Sequence, residues 1–209
     1  RAAARAPDQP CEIACALADR GHDIPGVDGG EAACQAFAEA WRERTGRVAV
    51  ERVRLRHHML ESVAPTAAPS GAMRAAEESD LAWLVAAHDA FTDEAKVPRA
   101  PQGTDRMVRD RLGERRYRVW EDPAIVSFLG TVLVDGRHAR IGPVYTPPPA
   151  RGRGYATALV AAASRELLDR GARRVFLTTD VANPVSNAIY ARIGYRPVDD
   201  TAGYDFVDP

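Results

Sequence analysis

A short segment directly after three consecutive prolines has the composition of a phosphate-binding turn. Gly152 and Gly154 let a ligand approach the backbone closely, and Arg151 and Arg153 supply positive charge. The strongest helical pattern of the chain begins at Tyr155, so its unpaired N–H groups and the positive end of its dipole are directed to the same place. These residue types predict a cradle for a phosphate or pyrophosphate group. The competing interpretation is a structural strand-to-helix turn that binds nothing.

A second cluster follows one helix and one strand further along the chain. Asn183 precedes Pro184, which suits the first position of a helix, and Tyr190 lies on that helix before Gly194 ends it. Each residue has a structural interpretation, with Asn183 as a helix cap and Tyr190 as an aromatic side chain packed on a sheet.

Together the two clusters resemble the signatures of the GNAT superfamily of N-acyltransferases. The acyl-CoA motif (Gln or Arg)-x-x-Gly-x-(Gly or Ala) is matched after Val144-Tyr145-Thr146 by Arg151, Gly154 and Ala156. The second signature is matched by Asn183, Ser186, Tyr190, Gly194 and Tyr195. The order and spacing of the two signatures also agree. The resemblance covers roughly residues 72–207. Within the superfamily, the sequence is similar to a bacterial group with a long N-terminal extension.

The resemblance implies an α/β fold with a mixed, mostly antiparallel sheet flanked by helices, together with a helix-rich N-terminal appendage. It implies that the strands ending near Thr146 and Thr179 splay apart, and that acetyl-CoA binds there as co-substrate. Pantetheine would then pair with main-chain groups like an added strand, and no metal is implied. The implied acyl-CoA contacts are Val144, Tyr145, Thr146, Arg151, Gly152, Arg153, Gly154, Tyr155, Ala156, Thr157, Asn183 and Asn187.

The activity implied by the resemblance is direct transfer of an acetyl group to an amine of a small molecule or a protein, with Tyr190 protonating the CoA thiolate. A general base would help, because an unperturbed lysine amine has a pKa of about 10.4. Many similar enzymes carry a carboxylate on the fourth strand of the domain, whereas residues 139–146 contain none and include Arg140. Glu121, Asp122, Asp180 and a water relay remain open as the base.

Two other functions are compatible with parts of the sequence. A non-catalytic acyl-CoA sensor or partner-docking protein would keep the cradle, but it would not require Tyr190. A dinucleotide-binding domain needs a third Gly or Ala three residues after Gly154, where Thr157 stands. It also needs an acidic residue about 20 positions on, whereas Asp180 lies further along the chain.

Hydrophobic periodicity predicts the elements that must position these residues. Helices are expected at residues 12–19, 31–44, 80–91, 104–112, 155–170 and 184–193. Strands are expected at residues 48–59, 73–76, 116–120, 124–134, 137–146 and 173–179, and near 195–198 and 203–207. The organisation predicted is an N-terminal helix-helix-strand block (1–63), which is either a degenerate half-copy of the same fold, an acceptor-site wall or a dimer contact. A linker (64–71) and an acetyltransferase domain (72–209) follow.

Composition excludes several classes of protein. The 28 basic and 29 acidic residues give a net charge of −1, so neither nucleic-acid binding nor a membrane-surface role is expected. No apolar run approaches the roughly 18 residues that span a bilayer. The N-terminus has no apolar core like that of a signal peptide, so a cytoplasmic protein is expected. Because it does not begin with Met, the chain is expected to be trimmed or incomplete there.

Cys11, Cys15 and Cys34 form an odd set without a C-x-x-C pair, which favours inert or buried thiols over a metal site. His88 falls on the apolar stripe of the third predicted helix and is expected to be a core or rim residue. A homodimer is compatible with the sequence, which does not fix the oligomeric state.

Overall fold

The computed structural model describes residues 9–209, which form six helices and eight strands. The segment 1–8, on which the argument against a signal peptide depends, lies outside the described residues. The helices are α1 (Gln9–Asp19), α2 (Glu31–Thr45), α3 (Leu81–Ala95), α4 (Thr104–Gly113), α5 (Tyr155–Asp169) and α6 (Pro184–Ile193). The strands are β1 (Gly26–Gly30), β2 (Val48–Leu60), β3 (Ala72–Ala75), β4 (Tyr117–Glu121), β5 (Ile125–Leu133), β6 (His138–Tyr145), β7 (Arg174–Asp180) and β8 (Arg196–Val207).

The described chain divides into two compact units. The larger unit comprises residues 58–177 and 185–196. The smaller unit comprises the described residues 9–57 together with residues 178–184 and 197–209. Each unit is therefore assembled from segments distant in sequence.

The larger unit contains a mixed sheet with the strand order β7-β6-β5-β4-β3. Its strands pair antiparallel except for β6 and β7, which run parallel. A right-handed parallel connection needs a helix between its strands, and α5 is that crossover. The expected mixed, mostly antiparallel α/β fold is confirmed.

Two apolar clusters hold helices on this sheet. Helix α5 buries Leu159, Val160 and Leu167 in one cluster, to which Ile141 of β6 and Ile193 of α6 also belong. The second cluster joins helices α3 and α4 to the opposite side chains of β4 and β5, and its members include Leu84, Val108, Tyr117 and Phe128. Helix α5, which the periodicity predicts, thus packs with its predicted apolar stripe toward the sheet.

The third cluster forms the core of the smaller unit. Phe37 and Trp41 of α2 stack with Phe206 of β8, with ring centroids 5.5–6.2 Å apart. Ala14 of α1 and Ala38 of α2 complete the buried set. In this unit the strand order is β1-β8-β2, and β1 pairs antiparallel with β8.

Two predictions for the elements of the smaller unit are wrong. The sequence Gly-Val-Asp-Gly-Gly of β1 was not expected to form a strand, so the N-terminal block is helix-strand-helix-strand instead of helix-helix-strand. The two short C-terminal strands expected near residues 195–198 and 203–207 are one strand, β8. Its polar middle is stabilised by Arg56, whose guanidinium donates two hydrogen bonds of 2.7 and 2.9 Å to Asp200.

Helix α3 ends on a residue with left-handed backbone conformation. Lys96 has φ = +52°, and its N–H donates to the carbonyl of Thr92. His88 of the same helix is buried, and its Nε2 lies 2.9 Å from the hydroxyl oxygen of Tyr117, so its assignment to the core is confirmed. Among residues 9–209, none of the helices combines the length and apolarity needed to cross a bilayer.

Candidate active site

The end of β6 is shaped by a β-bulge opposite β5. The register passes from Leu129 opposite Val144 to Thr131 opposite Ile141, so two residues of β6 face the single residue Gly130. Within the larger unit, the parallel pairing of β6 with β7 ends at Arg140 and Phe176. The sequence Gly142-Pro143, unfavourable for regular pairing, was the available signal for this bulge.

A buried serine fixes the residues between β6 and the cradle. The hydroxyl of Ser127 donates to the carbonyl of Tyr145 at 3.0 Å and lies 2.9 Å from the hydroxyl of Thr146. Tyr145 is itself buried in the apolar cluster that joins α3 and α4 to the sheet. Val144 is half-buried and packs against the cluster that contains α5. These three predicted contact residues therefore form a rigid approach to the glycine turn.

The cradle is a tight backbone turn that ends on the first residue of α5. Gly152 and Gly154 have φ values of +77° and +84°, a region that favours glycine, and Gly154 is the N-cap of α5. Among residues 9–209 no side chain caps the helix, so the N–H groups of Tyr155, Ala156 and Thr157 have no side-chain acceptor from that part of the chain. A Cβ built on either glycine meets nothing within 4 Å, which leaves room above the turn.

The two arginines of the cradle differ in their contacts. Arg151 donates from Nε to the carbonyl of Thr146 at 2.9 Å and from Nη2 to Glu94 at 2.7 Å. The Arg153 side chain is exposed and forms no ion pair among residues 9–209. From the sequence the two arginines are equivalent positive charges, whereas in the structure their contacts differ.

Asp122 supports the cradle from the end of β4. Its Oδ2 accepts hydrogen bonds from the hydroxyls of Ser70 at 2.5 Å and Tyr155 at 2.6 Å. These hydrogen bonds lower the pKa of Asp122, with the Ser70 hydroxyl as the larger cause. A carboxylate with a lowered pKa is a weak base, and this one is occupied in positioning the first residue of α5.

Glu121 and Asp180, the other carboxylates considered as the base, are also engaged. Glu121 receives two hydrogen bonds from Arg74, at 3.0 and 3.2 Å, and these lower its pKa. Asp180, in the smaller unit, accepts a 2.7 Å hydrogen bond from the backbone N–H of Ala182. Its carbonyl accepts the N–H of Asn183, the residue before α6.

Tyr190 lies on the buried side of α6. Its ring packs against those of His58 and Tyr195, with centroids 6.1 and 5.9 Å away. Burial raises the pKa of the Tyr190 hydroxyl to about 12, and no charge or hydrogen bond among the described residues offsets this effect. The phenol is therefore protonated at neutral pH.

His58 is a neighbour of this tyrosine that the sequence does not identify. Its side chain is buried, and its Nε2 lies 3.3 Å from Oδ1 of Asn187, one turn before Tyr190 on α6. The adjacent histidine, His57, contacts Thr178 and Thr201. From the sequence alone, the alternation of side chains along β2 predicts that the two histidines lie on opposite faces of the sheet. The sequence does not identify α6 as the element that His58 contacts.

The predicted site residues thus fall into three groups. Residues 144–146 and 151–157 form one continuous structure in the larger unit. Tyr190 and Asn187 lie on α6, and Tyr190 shares an apolar cluster with Tyr155. Asn183 belongs to the smaller unit. Glu94 and Ser127 contact the first group without having been predicted, and no spacing in the sequence pointed to them.

A depression of about 420 Å³ in the smaller unit is not lined by any predicted site residue. Its lining includes Glu31, Asp199 and Asp200, of which Glu31 is paired with Arg54 and Asp200 with Arg56. Within residues 9–209, no group of three His, Cys, Asp or Glu side chains is arranged to hold a metal ion. None of the three cysteines forms a disulfide, and burial raises the pKa of Cys34.

Comparison with curated proteins identifies relatives over part of the chain. A mycothiol acetyltransferase of Arthrobacter sp. is 32% identical over 134 residues, which cover 56% of this chain and 39% of the relative. One from Paenarthrobacter aurescens is 30% identical over 136 residues, with the same coverage. The chain therefore matches well under half the length of these relatives.

Solved structures share the fold. A GNAT-family acetyltransferase from Colwellia psychrerythraea superimposes with a TM-score of 0.71 at 14% identity, covering 94% of this chain and 72% of that one. A GCN5-related N-acetyltransferase from Sphaerobacter thermophilus gives a TM-score of 0.68 at 19% identity, covering 91% and 64%. The model of the acetyltransferase (GNAT) family matches residues 83–195, more than half of the chain. The chain belongs to the GNAT acetyltransferase family.

Proposed function

We propose that this protein is an N-acetyltransferase that moves an acetyl group from acetyl-CoA directly to an amine. The single observation that carries the proposal is the cradle: two glycines with positive φ, open space above them, and an uncapped 15-residue helix. Such a helix N-terminus binds phosphate groups through its N–H groups and its dipole. The family membership selects the pyrophosphate of acetyl-CoA among phosphate-containing ligands.

Main-chain groups of β6 would bind the rest of the co-substrate. The bulge opposite Gly130 redirects the strand before Val144, and the pairing with β7 within the larger unit stops at Arg140. An extended pantetheine arm can pair with such a strand segment, as peptides do in β-augmentation. Asn187 of α6 would contact the pantetheine side, while Arg153 adds charge near the phosphates. The role expected for Asn183, which belongs to the smaller unit, stays a prediction.

Tyr190 would act as the proton or hydrogen-bond donor to the departing sulfur. The amine nitrogen forms a bond to the acetyl carbonyl carbon, the carbon–sulfur bond breaks, and the nitrogen loses a proton. A phenol with a pKa of about 12 is a weaker acid than a thiol with a pKa of about 8.5. Tyr190 therefore acts best by donating a strong hydrogen bond while the charge develops on sulfur.

The proton of the amine would leave through water. Glu121 and Asp122 both have lowered pKa values and are held by hydrogen bonds, so they favour support over proton transfer. Asp180 accepts the N–H of Ala182 and belongs to the smaller unit, so a water relay is the route proposed here. Mycothiol-related amines are the first acceptors to screen, because the curated relatives are named mycothiol acetyltransferases.

Calorimetric titration of the protein with acetyl-CoA, with CoA and with NAD tests this proposal. We expect acetyl-CoA and CoA to bind and NAD to give no signal. Gly154→Ala and Gly154→Trp should weaken acetyl-CoA binding by about tenfold or more, equivalent to about 1.4 kcal/mol, because a side chain would occupy the space above the turn.

Gly136→Ala and Gly136→Trp are the matched controls. Gly136 also has a positive φ, of +75°, and open space around it, but it lies in the turn between β5 and β6. These variants carry the same backbone strain and should bind acetyl-CoA normally. Absence of acetyl-CoA binding by folded wild-type protein would exclude the proposal, and binding without turnover on any amine would favour a sensor.

A further inference from the structure

The guanidinium of Arg151 is held by protein groups on three sides. Its Nε donates to the carbonyl of Thr146, at 2.9 Å, and its Nη2 donates to Oε2 of Glu94, at 2.7 Å. The guanidinium carbon Cζ lies 5.6 Å from the centroid of the Tyr145 ring, within range of a cation–π contact. This side chain therefore closes the loop between the end of β6 and the glycine turn.

Glu94 occupies a position that needs this partner. It lies in the last turn of α3, where the negative end of the helix dipole disfavours a carboxylate. Its Oε2 also accepts a longer hydrogen bond, of 3.4 Å, from the hydroxyl of Tyr145. The hydrogen bond from Arg151 is the main cause of the lowered pKa of Glu94.

We propose that Glu94 is a positioning residue for the acyl-CoA site: it holds Arg151 against the Thr146 carbonyl and thereby fixes the backbone N–H groups of residues 152–156 in their binding conformation. This inference rests on the proposed function. Arg151 is then a clamp and not a ligand of the phosphates. Arg153 interacts electrostatically with Asp122 but forms no ion pair among residues 9–209, and it is the charge of the turn left for the phosphates.

Simple electrostatics makes the opposite prediction for Glu94. A carboxylate beside an anionic ligand repels it, and it also withholds Arg151 from the phosphates. Removing its charge would then strengthen binding. The sign of the effect of Glu94→Gln on acetyl-CoA affinity therefore separates the two hypotheses.

The experiment is calorimetry of acetyl-CoA binding to wild type, Glu94→Gln, Arg151→Gln and the double variant. We expect Glu94→Gln to weaken binding about two- to fivefold, in the range of an exposed ion pair. The double variant should bind no more weakly than Arg151→Gln, because both changes remove one clamp. Unchanged or tighter binding by Glu94→Gln would overturn the proposal.

Arg151→Lys supplies a second discriminating variant. Lysine keeps the charge but cannot reproduce the two-directional fork of the guanidinium, so the clamp predicts a defect as large as that of Arg151→Gln. Full binding by Arg151→Lys would assign Arg151 to the phosphates instead. Glu78→Gln is the matched control, since it breaks the exposed ion pair with Arg109 at 3.1 Å. It should leave binding unchanged.

Amide hydrogen exchange keeps this inference separable from the proposed function. In the ligand-free protein, the N–H groups of residues 152–156 should exchange faster in Glu94→Gln than in wild type or Glu78→Gln. If wild type fails to bind acetyl-CoA, the proposed function is excluded and exchange alone decides the clamp. Equal exchange in all three proteins would overturn the clamp even where acetyl-CoA binds.

Discussion

At the scale of single residues, Tyr190 combines a buried ring with a proton that is hard to remove. Its ring contacts His58 and Tyr195, and burial raises its pKa to about 12. A pKa this far above neutrality keeps the hydroxyl available as a donor at every pH where the protein is expected to work.

Tyr190→Phe is expected to lower kcat about 100-fold or more, the usual effect of removing a hydrogen-bond donor to developing charge, while acetyl-CoA still binds. Phenylalanine keeps the ring contacts, so the free energy of unfolding should change little. Steady-state kinetics and calorimetry give the two values, with Tyr204→Phe as a control hydroxyl removal. Because the pKa of Tyr190 is near 12, its deprotonation should cause no loss of rate up to about pH 10. A kcat unchanged by Tyr190→Phe would remove Tyr190 from the mechanism.

Sequence predicts the residue types of the site better than their partners. The glycines and arginines of the cradle are visible as a spacing, but the pairing of Arg151 with Glu94 joins residues from α3 and the cradle that lie far apart in the chain. Asp122 illustrates the same limit, since its hydrogen bonds to Ser70 and Tyr155 depend on how the linker and α5 meet β4. Such contacts follow from tertiary packing and leave no local signal.

At the scale of elements, the bulge between β5 and β6 depends on a close backbone approach. A Cβ built on Gly130 would lie 2.8 Å from the carbonyl oxygen of Gly142, closer than real Cβ atoms approach a backbone oxygen. The strand must therefore shift if this glycine is replaced. Because β6 leads directly into the cradle, a shift at the bulge moves the co-substrate site.

Gly130→Ala should lower the free energy of unfolding by about 1–3 kcal/mol, as overpacking does in a filled core. It should also weaken acetyl-CoA binding, because the end of β6 is displaced. Urea unfolding and calorimetry measure the two effects. Gly113→Ala is the control, since a Cβ there meets nothing within 4 Å and the change should be neutral or slightly stabilising. Wild-type stability in Gly130→Ala would show that the bulge tolerates a side chain.

Elements with strong periodicity were predictable and those stabilised by tertiary contacts were not. Helix α5 was expected at residues 155–170 and runs from Tyr155 to Asp169, because its apolar stripe and terminal glycines agree. Strand β1 is rich in glycine and has low strand propensity. It forms because β8 pairs with it and because Arg52 bridges Asp28 and Asp205, at 2.7 and 2.9 Å.

At the scale of the whole molecule, a buried histidine of the larger unit makes stability depend on pH. His88 packs against Tyr117 and Phe128, with ring centroids 5.5 and 4.8 Å away. Desolvation by burial lowers the pKa of His88 to about 4, from an unfolded value of about 6.5. Between these values the unfolded chain binds a proton that the folded protein rejects, so stability must fall as the pH falls through this window.

The free energy of unfolding is therefore expected to drop by about 3 kcal/mol between pH 7 and pH 4 through His88 alone. His88→Gln should remove that part of the pH dependence, although it also changes the packing and lowers stability at pH 7. Urea unfolding at a series of pH values measures the slope. Replacement of the exposed His22 by Gln should keep the wild-type slope, and an unchanged slope in His88→Gln would contradict the assignment.

The division of the chain into units was less visible than its fold class. The sequence predicts boundaries at a linker near residues 64–71, and that domain organisation stays a prediction. The compact units observed are built from interleaved segments, because strands β2, β7 and β8 each have residues in both. Composition along the sequence favours domains that are continuous in the chain, and it does not indicate that one unit contains segments from distant parts of the sequence.

Lys96, the left-handed residue that ends α3, is the sole lysine among the 28 basic residues of the chain. Its exposed amine is thus a unique chemical handle on the side chains of this protein, two residues from the clamp carboxylate Glu94. A fluorophore attached to this side-chain amine would report on the clamp without an engineered cysteine. The same scarcity means that acetylation of lysine side chains within residues 1–209 adds one acetyl mass at one known position.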